Sequence, residues 1–186
     1  MSTLKTNEIQ RTDGQAILKN TGSIIQTVVK RSDTKASLNT TSFTEANSDY
    51  RVSITPTHAD NRIYLSYYMY TNTAMAANTL FMMRAEKYTG GSAATITSRS
   101  TWGSSGSRHY ADYGNRPGNG YDGNDQTPIF WECYDDPGST SQQTYGFTYR
   151  REAGGSGTIY FGHSTNNNNV YGFSASLIIT AREVVQ

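Results

Sequence analysis

The sequence predicts an all-β fold, an antiparallel, jelly-roll-like β-sandwich, and three observations indicate it. Short segments of alternating or β-branched residues follow one another along the chain. Clusters of Gly, Pro, Asn and Asp, such as 135–138 and 154–157, separate these segments and suit turns. No segment has the period of a long amphipathic helix. Strand after strand with turns between them is typical of a sandwich or a jelly roll.

The first half of the chain contains four predicted strands. Residues 24–30 are β-branched, and residues 50–55 alternate until Pro56 ends them. Residues 62–70 alternate cleanly, with Tyr side chains on one face and the apolar set on the other. The apolar face comprises Ile63, Leu65, Tyr67 and Met69, and the opposite face comprises Tyr64, Ser66, Tyr68 and Tyr70. Residues 79–84 are apolar throughout and predict a strand buried on both faces, with a helix over 74–86 as the competing interpretation.

The second half adds strands at 127–134, 145–150, 158–162 and 173–181. The last of these has the cleanest alternation in the chain and predicts a buried strand near residue 186. The tetrapeptide 135–138, Asp-Asp-Pro-Gly, predicts a tight turn that joins 127–134 to 144–151 as a hairpin.

The pattern divides the chain into two parts. Residues 1–21 are polar and weakly patterned, so we expect an extended N-terminal arm whose apolar residues are few. Residues 22–186 form the single predicted β-sandwich domain. Within it, residues 98–126 are rich in Gly, Ser and Asn and predict a long loop, which is usually functional or mobile.

Composition excludes several classes of protein. Charged residues make up 17% and aromatic residues 12%, a balance that does not fit a disordered charged tail. The net charge of +1 disfavours nucleic-acid binding. No run of 18 apolar residues predicts a membrane span, and the first seven residues lack the apolar core of a signal peptide. Cys133 is the single cysteine, which excludes an internal disulfide and a cysteine-based zinc site.

The sequence offers little catalytic chemistry. Its histidines, His58, His109 and His163, accompany no Gly-x-Ser-x-Gly motif, and Cys133 is most simply a small buried side chain in a strand. The sequence therefore predicts a non-enzymatic protein without a cofactor.

Acidic residues of the sequence offer two kinds of candidate site, a metal site and a catalytic pair. The loop 121–125 offers carboxylates but lacks the spacing of an EF-hand, so no metal site is predicted. Glu132, Asp135 and Asp136 lie close together, as the carboxylates of a glycosidase would. Asp135 and Asp136 fall in the predicted turn, however, where Asp commonly caps backbone donors.

Tyrosine is the unusual residue, since fourteen are too many for one small core. Tyr64, Tyr68 and Tyr70 could pack against the second sheet, against a neighbouring subunit or against a sugar. The loop aromatics are the candidate contacts for a glycan or a partner, because loops carry recognition. These four are Trp102, Tyr110, Tyr113 and Tyr121. The alternative is that they pack the loop onto its own domain or onto the next subunit.

Several short motifs together resemble a family of proteins. They are Gly22–Gln26, Ile54–Pro56, Asn61–Leu65, Thr127-Pro128, Tyr134–Ser141 and Thr144–Phe147. In this order they resemble a domain of virion structural and tail-fibre-like proteins of tailed phages, particularly marine and cyanobacterial ones. The opening residues 1–9 are also similar to the N-terminal segments of such proteins.

The resemblance implies a structural role in a virion, with assembly in the host cytoplasm. The chain would be a head fibre, a capsid decoration protein or a tail-fibre-like subunit, and we expect a homotrimer with a possible part in host-surface adhesion. The arm would dock on another virion protein of the capsid, neck or tail, through Leu4, Ile9, Ile17 and Leu18. The alternatives are a carbohydrate-binding module and a small polysaccharide-degrading, tailspike-like protein.

Overall fold

The computed structural model describes residues 21–75, 79–100, 111–115, 126–165 and 174–186. The strands are β1 (Ile24–Ser32), β2 (Ala36–Leu38), β3 (Thr44–Glu45), β4 (Val52–Ile54), β5 (Arg62–Met75), β6 (Phe81–Thr89), β7 (Ser92–Ala94), β8 (Tyr113–Asn115), β9 (Gln126–Asp135), β10 (Gln143–Arg151), β11 (Gly157–Phe161) and β12 (Leu177–Val184). The helical segments among these residues are a 3-10 turn at Ser48–Tyr50 and a single α-helical turn, α1 (Thr97–Ser100).

The strands form two antiparallel sheets. In sheet A the order across the sheet is β9, β5, β12 and β1, because β9 pairs with the same residues of β5 that pair with β12 on the other side. On the same side of β5 as β12, β11 pairs with residues 71–75 of β5, and β2 pairs with the other edge of β11. In sheet B, β10 pairs with β3 and β4 at one edge and with β6 at the other, and β6 pairs with β7 and β8. The predicted antiparallel β-sandwich is therefore confirmed.

The core lies between the sheets and contains inward side chains of both. The predicted apolar face of β5 is confirmed, since all four of its members are fully buried. Tyr67 shows how the sheets are joined: its ring stacks on Trp131 with centroids 4.5 Å apart. Its hydroxyl crosses the core and donates to the Gly146 carbonyl of sheet B at 3.0 Å. Aromatic burial of this kind contributes both area and geometry to the packing.

Strand β6 resolves the choice between strand and helix over 74–86 in favour of strand. Phe81, Met82 and Met83 at its start are all buried, although successive residues point to opposite faces. The outward side chain, Met82, is therefore covered as well, as the continuous apolar run predicts.

The predicted hairpin between 127–134 and 144–151 is wrong. Strand β9 belongs to sheet A and β10 to sheet B, so the connection crosses the sandwich. Gly138 has a φ of 61°, which agrees with a turn. Asp135, at the end of β9, is buried and accepts hydrogen bonds from Lys87 at 3.0 Å and from Tyr145 at 2.9 Å, both in sheet B. Asp135 thus bridges the sheets at the point where the turn begins.

Glu183 closes the opposite part of the sandwich. It is the last inward residue of β12 and is 0% exposed. Its Oε1 accepts from the Thr57 backbone N–H at 2.7 Å, the Thr57 hydroxyl at 2.8 Å and the Asn61 amide at 2.7 Å. Burial raises the pKa of this carboxyl, but the hydrogen bonds from Asn61, Thr57 and the His58 backbone outweigh that effect and hold it below its ordinary value. The carboxylate therefore ties the connection between β4 and β5 to β12.

Two boundaries differ from the sequence-based expectation. The last strand begins at Leu177 rather than at residue 173, and Ser174 instead forms an isolated bridge with His163. The predicted loop 98–126 contains β8, which pairs with the start of β6. The predicted arm, residues 1–21, lies outside the described residues except for Thr21.

Candidate functional site

The outer face of sheet A is the feature of the described surface that calls for a function. Six large apolar side chains among the described residues are exposed over 36–59% of their surface, and all six lie on strands of this sheet. They are Ile24, Ile25, Val29, Tyr64, Tyr68 and Phe130. Scattered exposed apolar residues are ordinary, but their concentration on one face of one sheet indicates an interaction surface.

The strand register places these side chains in rows across the sheet. Arg31 pairs with Ile178, which pairs with Tyr68, which pairs with Phe130. Two residues along each strand, a second row runs through Val29, Thr180, Ser66 and Glu132. Two residues further, a third row runs through Thr27, Arg182, Tyr64 and Tyr134. Since side chains two apart on a strand share a face, all three rows point away from the core.

One margin of this face, on β5 and β9, is aromatic. We call it the aromatic lobe, and it comprises Tyr64, Tyr68, Tyr70, Phe130 and Tyr134. Tyr68 and Tyr70 meet edge to face with centroids 5.6 Å apart, and their hydrogen bonding raises the pKa of Tyr68. Tyr64 and Tyr134 lie 6.1 Å apart. These ring pairs give the lobe a fixed shape rather than a set of independent side chains.

An arginine holds the end of the aromatic lobe in place. The Arg62 guanidinium lies 4.0 Å from the centre of the Tyr134 ring. It also donates to both carboxylate oxygens of Asp136, at 2.6 and 2.9 Å. The hydrogen bonds to Asp136 raise the pKa of Arg62 above its ordinary value. The cation–π contact with Arg62 therefore orients the Tyr134 ring. The bidentate pair between Arg62 and Asp136 joins the aromatic lobe to the start of the connection 136–142.

The other margin, on β1, is aliphatic. We call it the aliphatic lobe, and it comprises Ile24, Ile25 and Val29. Ile24 pairs with Val184 and Gln26 with Glu183, so Ile25 is an extra residue in a β-bulge. A bulge re-aims side chains locally, which explains how two consecutive isoleucines are both exposed.

A row of polar side chains crosses the face between the two aromatic rows of β5 and β9. Ser66 donates to Glu132 at 2.8 Å, and Arg182 donates to Ser66 at 2.9 Å. Arg182 and Glu132 are 3.9 Å apart, with side chains 36% and 56% exposed. We call these three residues the central polar cluster. Because its ion pair is long and exposed, it contributes little to stability.

The outer face of sheet B differs, because the chain covers it. The Phe43 ring lies over the Arg84 guanidinium at 3.8 Å. Arg51 lies over the Tyr88 ring at 3.9 Å and forms a bidentate pair with Glu45 at 2.6 and 2.7 Å. Within the described part of the chain, sheet B therefore has no exposed large apolar side chain.

The sequence-predicted site residues fall in two places. Trp102, Tyr110 and Tyr121, and the anchor residues Leu4, Ile9, Ile17 and Leu18, lie outside the described residues. Tyr113 is half-buried in β8 and packs on the core, with its ring 6.1 Å from those of Phe81 and Trp131. Packing onto its own domain, the alternative that the sequence left open, is therefore what Tyr113 does.

The tyrosines of β5 are more informative. Tyr64 and Tyr68 point away from sheet B and are exposed, which excludes packing between the sheets as their role. Contact with a subunit or with a sugar remains. The sequence missed Phe130 and the aliphatic lobe, because both faces of β9 and of β1 carry apolar residues and alternation alone could not identify the exposed one.

The candidate carboxylates do not face one groove. Glu132 lies on the outer face of sheet A, Asp135 is buried between the sheets, and Asp136 is paired with Arg62. Cys133 is buried against the core, as its strand position predicts. Among the residues that the structure describes, no group of three or more His, Cys, Asp or Glu side chains could hold a metal ion. No helix in these ranges is long and apolar enough to span a membrane.

Comparison with known proteins adds a partial structural likeness. No family model matches the sequence, and no curated protein matches it. Among solved structures, one match is a chain in the structure of infectious bursal disease virus Gx strain, with a TM-score of 0.33 and 12% sequence identity. The match covers 88% of this chain and 37% of that chain. The outer surface of sheet A therefore remains the feature from which a function can be inferred.

Proposed function

We propose that the chain is a non-enzymatic structural subunit of a virus particle, of the kind that tailed phages carry as head fibres, capsid decorations or tail-fibre-like proteins. It works as a homotrimer and forms its subunit contacts through the outer face of sheet A. The observation that carries the proposal is the concentration of all six exposed large apolar side chains of the described residues on that one face. Aromatic residues and arginine are enriched at such interfaces.

The strand order supports the jelly-roll-like part of the proposal. Eight of the described strands alternate between the sheets in a regular way. In chain order they belong to sheets A, B, A, B, B, A, B and A, and they are β1, β4, β5, β6, β8, β9, β10 and β12. Such an alternation fits two interleaved Greek keys, the arrangement used by viral capsid and lectin domains. A fold alone does not identify a function. The strand order therefore supports the proposal only in combination with the exposed apolar residues on the outer face of sheet A.

The remaining parts of the chain take the roles that the sequence suggests. The arm at residues 1–21 docks on a capsid, neck or tail protein through its four apolar residues. The loop aromatics at 102, 110 and 121 contact a partner or a host-surface glycan. Three copies of a weak glycan site on one particle would gain affinity through multivalency.

Light scattering on the purified, tag-free chain tests the assembly. We expect a mass three times the chain mass of 20.5 kDa, which is 61.5 kDa. Phe130→Asp places a charge in the aromatic lobe, so we expect this variant to fall to one third of that mass while keeping its far-UV spectrum. Ser53→Asp, an exposed strand position of sheet B, is the matched control and should leave the trimer intact. A wild-type monomer at tens of micromolar would contradict the proposed assembly.

Labelling of particles tests the location. Antibodies against the sandwich should decorate intact particles of the phage that encodes the chain, and deletion of residues 2–21 should abolish incorporation without loss of folding. Absence of the chain from purified particles would refute the structural role.

A carbohydrate-binding module is the second candidate, and one observation favours it. Tyr64 and Tyr68 expose ring surface beside the hydrogen-bonding side chains of Arg182 and Glu132, a combination that suits a sugar. A glycan array compares wild type with Tyr68→Ala. Suppose that the wild-type chain is monomeric in solution, binds a glycan, and loses that binding in Tyr68→Ala. This result would favour the carbohydrate-binding module over the structural subunit.

A further inference from the structure

We infer that the outer face of sheet B holds a binding site for a small oxyanion, and that Arg150 is its binding residue. The ligand is a carboxylate, sulfate or phosphate group, whose paired oxygens match the fork of a guanidinium. The inference goes beyond the proposed function, because this face lies on the opposite side of the sandwich from the proposed subunit contact. It does not depend on whether the chain forms a trimer.

Arg150 is a buried cation on that face. Its neighbour Tyr149 belongs to the core between the sheets, so the Arg150 side chain points outward from β10. Only 8% of the residue is exposed, although it is charged. On β6 it pairs with Met82, which is 7% exposed and brings no charge. The guanidinium therefore lies in a recess that retains a small opening to solvent.

The two Nη groups of Arg150 have no hydrogen-bond acceptor in the part of the chain that the structure describes. The Nε group donates to the Arg151 carbonyl at 3.2 Å. The guanidinium lies 5.6 Å from the centre of the Phe43 ring, whose other contact is the Arg84 guanidinium at 3.8 Å. None of these contacts supplies a negative charge. A buried cation without a counter-charge is costly, so an anion from outside these residues would complete the site.

The neighbouring arginines of this face show the contrast. Arg51 forms its bidentate pair with Glu45. Arg84 donates to Glu86, which is 1% exposed, at 2.5 Å. Among the described residues, no carboxylate lies within ion-pair distance of Arg150. Arg150 is thus a recessed guanidinium whose charge is not balanced, beside two arginines whose charges are.

Thermal unfolding of the full-length chain tests the site with three free anions. Sodium sulfate, phosphate and acetate are added separately, at an ionic strength held constant with sodium chloride. A ligand of the folded state raises Tm, and at a hundred times its Kd the rise should be about 5–10 °C for a chain of this length. The rise should be saturable in wild type and absent in Arg150→Gln. The matched control is Arg31→Gln, at an arginine whose side chain is 68% exposed, and it should respond as wild type does.

A second variant keeps the test decisive if Arg150→Gln does not fold. Arg150→Lys retains the charge but loses the fork, so it should fold and bind with a Kd about tenfold higher. Nuclear magnetic resonance of the 15N-labelled chain locates the anion. The Nε–H signal of Arg150, identified by its absence from the spectrum of Arg150→Lys, should shift during the titration.

The three anions also identify the ligand. A response to acetate alone would support a carboxylate, and a response to sulfate or phosphate would support a tetrahedral oxyanion. A rise in Tm of equal size in wild type and in both variants of Arg150 would be a general salt effect and would overturn the inference. No saturable rise with any of the anions would overturn it as well, since water alone would then solvate Arg150. Both of these negative results leave the mass measured by light scattering, and with it the proposed assembly, unaffected.

Discussion

Removing the Glu183 carboxylate is the perturbation whose effect the structure defines best. Its Oε1 accepts three hydrogen bonds of 2.8 Å or less, two from Thr57 and one from Asn61, and a longer one of 3.3 Å from the His58 backbone. Thr57 and His58 are exposed, so water can replace the carboxylate for them. Asn61 is 1% exposed, so its amide would be left without an acceptor.

The magnitude follows from this difference between the donors. A buried donor left without a partner costs about 1–3 kcal/mol, and bonds to a charged acceptor lie at the upper end. Taking about 2 kcal/mol for Asn61 and about 1 kcal/mol for the partly rehydrated Thr57, Glu183→Ala should lower the free energy of unfolding by about 3 kcal/mol. Glu183→Gln keeps an oxygen in place but loses the charge, so about half of that loss is expected.

Urea unfolding monitored by tryptophan fluorescence measures both values. The matched control is Glu132→Gln, the exposed carboxylate of the central polar cluster, for which we expect a change within about 0.5 kcal/mol. Glu183→Ala could lower the free energy of unfolding by less than about 1 kcal/mol, or by no more than Glu132→Gln does. Either result would show that the Glu183 carboxylate does not stabilise the connection between β4 and β5.

The pH dependence provides a second check with a defined sign. The pKa of Glu183 is lowered in the folded chain, so its stabilisation is complete above the unfolded pKa, about 4.3 for Glu. That stabilisation is lost as the pH falls through the folded pKa. The stability difference between wild type and Glu183→Gln should therefore shrink below about pH 4. A difference that stayed constant from pH 7 to pH 3 would refute the reasoning.

Two further predictions concern packing and a bond across the core. A Cβ on Gly155 would overlap the Thr79 side chain, so Gly155→Ala should lower the free energy of unfolding in urea by about 1–3 kcal/mol. Gly154→Ala, whose added Cβ would have nothing within 4 Å, should be near neutral, and equal effects of the two variants would contradict this. Tyr67→Phe removes the bond to the Gly146 carbonyl and should lower Tm at a cost of about 1–2 kcal/mol. An unchanged Tm would show that this bond does not join the sheets.

The sequence predicts sheet structure well where one face is buried and the other is not. Alternation in β5 identifies Ile63, Leu65, Tyr67 and Met69 as core, and all are fully buried. In β6 the absence of alternation indicates burial on both faces, and Met82 is indeed covered. A strand buried on one face needs apolar side chains at every second position, and a strand buried on both faces needs them throughout. The pattern of apolar residues therefore reveals which faces are buried.

Pairing between strands is the part that alternation does not encode. The turn at 135–138 has the right residues for a hairpin, yet its strands belong to different sheets. Turn chemistry fixes the local backbone but not the sheet that the next strand joins. Asp135 meets Lys87 and Tyr145 of sheet B only in the folded chain, so the sequence pattern does not reveal these hydrogen bonds. The exposed surface shares this difficulty, since Phe130 and Trp131 are equally apolar in the sequence and only one is in the core.

The position of β12 between β1 and β5 has a consequence for synthesis of the chain. Ser32 of β1 pairs with Leu177 of β12, so the first strand of sheet A waits for a partner that leaves the ribosome roughly 150 residues later. At about 5–20 residues per second, that delay is roughly 8–30 s. During this time the apolar residues of β1 have no partner in sheet A. The nascent chain therefore relies on chaperones, or on rapid closure once β12 emerges, to avoid aggregation.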